Sequence, residues 1–184
     1  MGYMFLACLK LKKIIGIEDF NTNQVKNMEE MFLYCIELEE LDLSNFNTSK
    51  VISMEGMFGG CNKLKKIKGL EIFNTNQVNN MKCMFQECKQ LEELDLSNIN
   101  TSKVTNMESM FAGCNKLRKI KGIEKFDTNQ VIIMKEMFKF CNELEELDLS
   151  NFNTSKVTDM ESMFLGCFKL RKIKAKEKLY VDNS

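Results

Sequence analysis

The sequence contains no histidine, no proline and no tryptophan. The absence of histidine removes the commonest general base and metal ligand of enzymes, together with every catalytic triad that contains histidine. Long hydrophobic runs are also absent, since no stretch approaches the roughly 20 apolar residues of a membrane-spanning helix. The first residues lack the pattern of a secretory signal. We therefore predict no catalytic residues, no bound cofactor or metal, and no membrane insertion.

An excess of charge of one sign is lacking as well, because 26 Lys and Arg residues balance 26 Asp and Glu residues. A net charge of zero favours neither nucleic acid nor an anionic membrane as the partner. The 184 residues, of which 44% are hydrophobic, are enough to bury one sizeable core. We predict a single domain over residues 1–184.

Seven of the eight cysteines are spaced alternately by 27 and 26 residues, which reveals two repeating units. Unit A contains runs such as LKKIKGLEIFNTNQV, and unit B contains runs such as LEELDLSNINTSKV. Unit A has one additional glycine, as at Gly69, and an additional position of this kind is typical of a β-bulge. We assign a partial repeat to residues 1–8, six full repeats to 9–167, and a degenerate strand and C-terminal cap to 168–184. The seven cysteines are Cys8, Cys35, Cys61, Cys88, Cys114, Cys141 and Cys167.

Two hydrophobic periods follow one another in each unit. Leu41 and Leu43 alternate with polar residues, which predicts a strand with one buried face. The N-T-S or N-T-N sequence that follows is typical of a turn. The block M-x-x-M-F-x-x-C, as in residues 28–35, has the spacing of one helix face, and Thr105 with Glu108 matches a helix capping box. Because neither element is stable alone, the units must stack. We predict a right-handed α/β leucine-rich-repeat solenoid with parallel strands on one face and short helices on the other.

The succession L-x-x-L-D-L-S-N-F-N-T-S-K-V-T-N-M-x-x-M-F-x-x-C resembles the repeat of the BspA-like leucine-rich repeat surface protein family, and the resemblance covers residues 1–174. It implies a curved solenoid, display on the cell surface, and a role in adhesion or host-protein binding. Phenylalanine or isoleucine, as at Phe46 and Ile99, stands where the family's repeat has asparagine. The resemblance supplies no catalytic residue to this chain.

The cysteine column admits three interpretations, namely buried free thiols, disulfide bridges or a metal site. Successive coils place equivalent positions about 5 to 10 Å apart, whereas a disulfide needs Cα atoms within about 6.8 Å, so the spacing favours buried thiols. Methionines beside cysteines also fit a soft-metal site, although their positions are those that core packing requires. Cys83 lies outside the column at a position that we expect to be exposed, and it is the candidate reactive thiol.

Outward positions of the predicted strands carry acidic residues in B units and basic residues in A units. In a parallel sheet this pattern places a carboxylate beside a basic group on both sides of each strand, which penalises a shift of register. The alternative interpretation is that this face binds a partner, as the strand faces of solenoids often do. The candidate binding face comprises Glu40, Asp42, Lys66, Lys68, Glu93, Asp95, Lys119, Lys121, Glu146 and Asp148.

We therefore predict a non-enzymatic protein-binding or adhesion module that contacts a protein or other macromolecule through this face. The resemblance implies that it is displayed at the cell surface or outside the cell. The alternative is a cytoplasmic scaffold or assembly subunit, because regularly placed free cysteines suit a reducing compartment. The N-terminal coil starts inside a Met-rich block without a polar cap, so we also expect end-to-end self-association through that coil.

Overall fold

Stacked coils of 26 and 27 residues form the fold. The computed structural model describes residues 1–176, so residues 177–184 of the predicted C-terminal cap lie outside the described residues. One continuous hydrophobic core runs through the stack, and the inward leucines, methionines, phenylalanines and cysteines of its middle coils are almost completely buried. Within residues 1–176, no helix is both long enough and apolar enough to cross a lipid bilayer.

In the described part of the chain, six three-residue strands line one face of the stack. They are β1 (Glu40–Asp42), β2 (Lys66–Lys68), β3 (Glu93–Asp95), β4 (Lys119–Lys121), β5 (Glu146–Asp148) and β6 (Lys172–Lys174). All pairing is parallel, and it joins β1 to β2, β3 to β4, and β5 to β6. The predicted parallel strands are therefore confirmed, but the ladder joins them in pairs and not in one continuous sheet.

The predicted short helices on the opposite face are wrong. In residues 28–35 the chain forms consecutive turns, and both Glu30 (φ 51°) and Tyr34 (φ 60°) adopt the left-handed conformation. The N–H of Phe32 donates to the carbonyl oxygen of Met57 in the next coil at 3.0 Å, while alternate N–H groups donate three residues back within the coil. An α-helix requires negative φ angles and bonds four residues back. Within residues 1–176 every Met-rich block forms turns of this kind and no α-helix.

The predicted capping box is also absent. The hydroxyl of Thr105 donates to the carbonyl oxygen of Asn79 in the preceding coil at 3.2 Å, and the N–H of Glu108 donates to Oδ1 of Asn106 at 2.8 Å. The threonine therefore links two coils, because no helix N-terminus is present to be capped.

The additional glycine of unit A precedes a 3₁₀ turn and does not form a bulge. The three turns are Ile17–Asp19, Leu70–Ile72 and Ile123–Lys125. Gly16, Gly69 and Gly122 precede them with φ angles of 79°, 89° and 83°, in the left-handed region that glycine adopts most readily. Gly69 and Gly122 thus turn the chain from β2 and β4 into the 3₁₀ turns that follow.

Two columns of side chains hold the Met-rich blocks together. Neighbouring phenylalanine rings of the column stack with centroids 5.4 to 6.0 Å apart. Beside them, the thiol of Cys88 donates to the carbonyl oxygen of Phe58 in the preceding coil at 3.1 Å, and the other column cysteines from Cys35 onward do the same. All eight cysteines are free, and five of the column are fully buried, which confirms the interpretation as buried thiols.

A third column consists of buried threonines from the N-T turns. The hydroxyl of Thr75 donates to the carbonyl oxygen of Asn100 at 2.9 Å and accepts from the N–H of the same residue at 2.8 Å. The hydroxyl thereby satisfies a donor and an acceptor of the next coil where few other partners are available. This pairing fixes each coil against the next at the edge of the strand face.

Candidate binding surface on the strand face

The ten residues of the predicted binding face all lie on one surface, which we call the strand face and which the outward side chains of β1 to β6 form. The first and third residues of each strand point away from the core, and the middle residue points toward it. The register places Glu93 opposite Lys119 and Asp95 opposite Lys121. Rows of acidic and basic side chains therefore alternate along the stack.

Ion pairs on the strand face join each B unit to the A unit that follows it. Lys65 lies 2.9 Å from Glu39, and Lys174 lies 2.8 Å from Asp148. Among the described residues of this face, one contact links an A unit to the following B unit, at 3.8 Å between Arg118 and Glu143. The expectation of pairing on both sides is thus wrong, because the backbone ladder holds only B strands against the following A strands.

On the strand side of the stack, the A-to-B joints are connected along the N-T turns and not at the strands. Asn98 donates from Nδ2 to the carbonyl oxygen of Glu71 at 2.6 Å. Nearby, Lys103 donates to Oε1 of Gln77 at 2.8 Å, and equivalent Lys–Gln pairs connect the other two A-to-B joints. On the strand side of the stack, two kinds of joint therefore alternate, one with a strand ladder and ion pairs and the other with bonds at the N-T turns, whereas the Met-rich blocks bond across both kinds of joint.

Grooves open on the strand face at the first and third A-to-B joints. The first groove, between residues 12–18 and β1, has a volume of about 810 Å³. The second, between residues 118–124 and β5, has a volume of about 520 Å³. The two grooves are lined by equivalent positions that lie four coils apart in the stack. They follow from the missing strand ladder, which leaves solvent space between the A and B strands.

Lys13 and Ile15 are groove residues that were not among the predicted site residues. Lys13 and the equivalent predicted residue Lys119 line the two grooves, and neither has an ion-pair partner among residues 1–176. Ile15 lines the first groove with 88% of its surface exposed, where Lys68 and Lys121 stand in later A units. The exposed isoleucine was visible in the sequence, because residues 14–16 read IIG where the later A units read IKG.

Hydrogen bonds lower the pKa values of the three aspartates of the strand face. Lys174 and Ser150 donate to Asp148 and lower its pKa to about 2. Bonds from Ser44 and Ser97 lower the pKa values of Asp42 and Asp95 in the same way. Carboxylates held in this form are poor general acids at neutral pH. Their arrangement suits the binding of charged groups better than proton transfer.

The substitution Asp148→Asn tests this stabilisation through pH. Because the folded-state pKa of Asp148 is depressed from 3.8 to about 2, its contribution is present above about pH 4 and is lost as the pH falls toward about 2. We expect the melting temperature of the natural chain to fall more steeply than that of the variant across this interval. The variant Lys174→Gln removes the partner cation, so its melting temperature should also fall less steeply over the same pH interval. Parallel melting curves for all three proteins would contradict the assignment.

The double substitution Lys66→Glu and Lys68→Glu tests the register function of the ion pairs. It places like charges opposite Glu40 and Asp42, and each exposed pair contributes about 0 to 1 kcal/mol. We expect the variant to lower the melting temperature more at low salt than at high salt, because salt screens exposed charges. The neutral control Lys66→Gln with Lys68→Gln should show a weaker salt dependence. A salt-independent difference between the charged variant and the natural chain would refute the idea.

Cys83, the candidate reactive thiol, is half-buried and not exposed as expected. It lies in a Met-rich block and has φ 56°. Burial raises the pKa of its thiol to about 11, with a smaller opposing effect of Lys82. A raised pKa reduces the thiolate fraction that reacts with electrophiles and metals, so this environment does not favour reactivity at neutral pH.

Short parallel strands on one face of stacked coils define a leucine-rich-repeat solenoid. The chain matches the family model described as "Mycoplasma protein of unknown function, DUF285" over residues 1–120 and 88–179. It belongs to that family, which is a BspA-like repeat family, and the resemblance found in the sequence is thereby confirmed. No curated protein matches the chain.

Two crystal structures resemble the fold. A leucine rich cell surface protein from Faecalibacterium prausnitzii is 20% identical with a TM-score of 0.56, and the match covers 82% of this chain and 36% of that one. A leucine-rich repeat protein from Eubacterium ventriosum is 17% identical with a TM-score of 0.44, and the match covers 80% of this chain and 34% of that one. The chain thus spans about a third of the length of these two proteins, and the first likeness shows the solenoid fold.

Proposed function

We propose that the chain is a protein-binding repeat module that is displayed at the cell surface and contacts its partner through the strand face. The observation that carries the proposal is the exposed surface of alternating acidic and basic side chains on the strand face, into which two grooves open. Rigid alternating charges favour a partner of complementary pattern and disfavour others. The description of the Faecalibacterium prausnitzii protein as a cell surface protein supports the location.

Labelling of intact source cells tests the location. An antibody to this domain is applied to intact cells, and permeabilised cells give the total signal. Equal labelling of both samples is the expected result. Labelling only after permeabilisation would instead favour a cytoplasmic scaffold, which the free cysteines support because such thiols suit a reducing compartment.

A charge exchange between β3 and β4 tests the use of the strand face. Fluorescent chain is applied to an array of purified extracellular proteins, and the variant combines Glu93→Lys and Asp95→Lys with Lys119→Glu and Lys121→Glu. The exchange keeps opposite charges in register, so the fold should persist while binding to the array is lost. The control exchanges the pair Lys82 and Glu108 outside the strand face, which lie 3.0 Å apart. Equal binding by both variants would refute a role of the strand face.

Self-association through the N-terminal coil is a second proposal about partners. It is supported by the exposed apolar side chains of Met4 and Leu9 in the first coil, since exposed apolar surface can mark a site of protein association. Analytical ultracentrifugation of the full chain over a range of concentrations tests it. A sedimentation coefficient that rises with concentration is expected, and a constant monomer value would refute the proposal.

A further inference from the structure

Rows of opposite charge alternate along the strand face. The outward side chains are acidic in β1, β3 and β5 and basic in β2, β4 and β6. Among these six strands the acidic and basic rows are equal in number, so the face has no excess of charge of either sign. A surface with this pattern is complementary to a second surface with the same alternation. The strand face thus carries the charges that its own copy would match.

One two-fold arrangement brings opposite charges together at every strand. When the axis runs parallel to the strands and between β3 and β4, the two stacks run in opposite directions. Strands β1, β2 and β3 then face β6, β5 and β4 of the second copy, and an acidic row meets a basic row in each pair. A shift by one coil, or an axis along the stack, places rows of like charge opposite each other. Like charges across an interface are disfavoured, so the pattern selects one isologous register.

Several charges of the face are free to make such a contact. Glu93 and Lys119 are exposed, and neither has an ion-pair partner among residues 1–176. The same holds for Glu40 and Lys66. A two-fold axis parallel to the strands keeps the position of each residue along its strand, so Glu93 meets Lys119 of the second copy and Lys66 meets Glu146. Each charge without a partner in its own chain therefore faces an opposite charge.

The shape of the stack allows two strand faces to meet. The Met-rich blocks are joined by backbone bridges at five successive joints, from Asn27 with Ser53 to Ile133 with Asp159. Among residues 1–176 the strand ladder is present only at B-to-A joints, and grooves separate the strands at two A-to-B joints. The strand side is therefore no shorter than the Met-rich side, and a solenoid curves toward its shorter side. The strand face is accordingly not concave, and its middle rows are accessible to a second copy.

We propose that the strand face binds a second copy of this chain, with the two stacks antiparallel and β3 of each copy facing β4 of the other. The inference rests on the proposed function, because it names the partner of the same face. Each pair of exposed charges contributes only about 0 to 1 kcal/mol, so the dimer is weak and depends on many pairs at once. Because charge and not apolar burial drives the contact, salt weakens it.

Sedimentation of the full chain at two salt concentrations tests the dimer. Every chain carries Met4→Glu with Leu9→Glu, so that the apolar N-terminal coil does not contribute. Protein concentrations from about 10 μM to 1 mM cover the dissociation constants of a weak contact. We expect a dimer at about 0.02 M salt and a dissociation constant at least tenfold higher at about 0.5 M salt, because salt shortens the Debye length. A monomer at low salt, or a dimer that salt leaves unchanged, would overturn the proposal.

The β3–β4 charge exchange defined above tests the register. Two exchanged copies still present opposite charges to each other at all six strands, whereas an exchanged copy meets the natural face with like charges at β3 and β4. In surface plasmon resonance, the exchanged chain should bind an immobilised exchanged chain as tightly as two unexchanged chains bind each other. It should bind an immobilised unexchanged chain at least tenfold more weakly. Equal binding of the exchanged chain to both surfaces would refute the two-fold register.

The pair Lys82 and Glu108 provides the matched control for the exchange. The two residues lie outside the strand face and 3.0 Å apart. The variant Lys82→Glu with Glu108→Lys should therefore bind the immobilised unexchanged chain with nearly unchanged affinity. Circular dichroism verifies that each variant folds. A loss of affinity in this control as large as that of the β3–β4 exchange would contradict a contact through the strand face.

The results separate this inference from the proposed function. An array protein that binds through the strand face, while the chain remains monomeric at low salt, would support the proposed function and overturn this inference. A salt-dependent dimer that passes the exchange test, while no array protein binds, would support this inference and leave the strand face without a further partner. The two hypotheses thus fail through different results.

Discussion

The substitution Phe85→Ala is expected to lower the free energy of unfolding by about 3 to 5 kcal/mol, the usual cost of removing a buried phenylalanine ring. Phe85 is fully buried, and its ring stacks on Phe58 at 5.4 Å and on Phe111 at 5.8 Å between centroids. Removal of the ring leaves a cavity. The neighbouring coils cannot collapse into it, because the backbone hydrogen bonds between the Met-rich turns fix their spacing. Chemical denaturation monitored by circular dichroism measures the loss.

The control for this prediction is Phe164→Ala at the end of the same column. Phe164 is only partly buried, and a single ring, that of Phe138, stacks on it at 5.7 Å. The neighbouring coils of a solenoid contribute most of each unit's stability, so we expect a smaller loss at this position. Equal losses at Phe85 and Phe164 would contradict the contribution of a two-sided stack.

The substitution Gly69→Ala is expected to destabilise the fold by more than about 2 kcal/mol. Gly69 has φ 89°, and a Cβ atom there would lie 2.5 Å from the carbonyl carbon of Leu43 and 2.6 Å from the nitrogen of Ser44. The left-handed conformation alone costs an alanine about 1 to 2 kcal/mol. The contact with backbone atoms adds to that cost, because β1 and β2 must separate to relieve it.

Gly16→Ala provides a matched control for the backbone contact. Gly16 also precedes a 3₁₀ turn and has φ 79°, but the nearest atom to an added Cβ is Oδ2 of Asp19 at 3.8 Å. The control should therefore carry the conformational cost without the clash. Thermal unfolding of both variants measures the difference. An equal drop in melting temperature would mean that the approach of Gly69 to Leu43 has no energetic effect.

The strands were predictable from the sequence, whereas the conformation of the Met-rich blocks was not. The spacing of Met28, Met31, Phe32 and Cys35 directs all four side chains inward in a helix and equally in the consecutive turns that form. Hydrophobic periodicity reports which residues are buried and does not report where the N–H groups bond. Glu30 and Tyr34 are left-handed although neither is glycine or asparagine, and the signal in the sequence was the glycine at the equivalent positions Gly56 and Gly60 of the next unit.

The sequence predicted which residues form the candidate surface, but it did not predict the grooves in that surface. The alternation of side chains along a strand placed Glu93, Asp95, Lys119 and Lys121 on one face from the sequence alone. The difference between the two joints was not visible, because the charge pattern is the same on both sides of each strand. Lys13 and Ile15 line a groove because the A-to-B joint beside them lacks a strand ladder, and the sequence does not show that this ladder is missing.

The sequence by itself determined the coil length, the buried positions and the alternation of charge, because these follow from repeat spacing and from the direction of side chains along an extended chain. The tertiary structure alone decided that the Met-rich blocks form turns, that most ion pairs of the strand face join B units to the following A units, and that grooves open at A-to-B joints. The physical reason is that these features depend on hydrogen bonds between coils, as from Phe32 to Met57. A single repeat contains only one partner of each such bond.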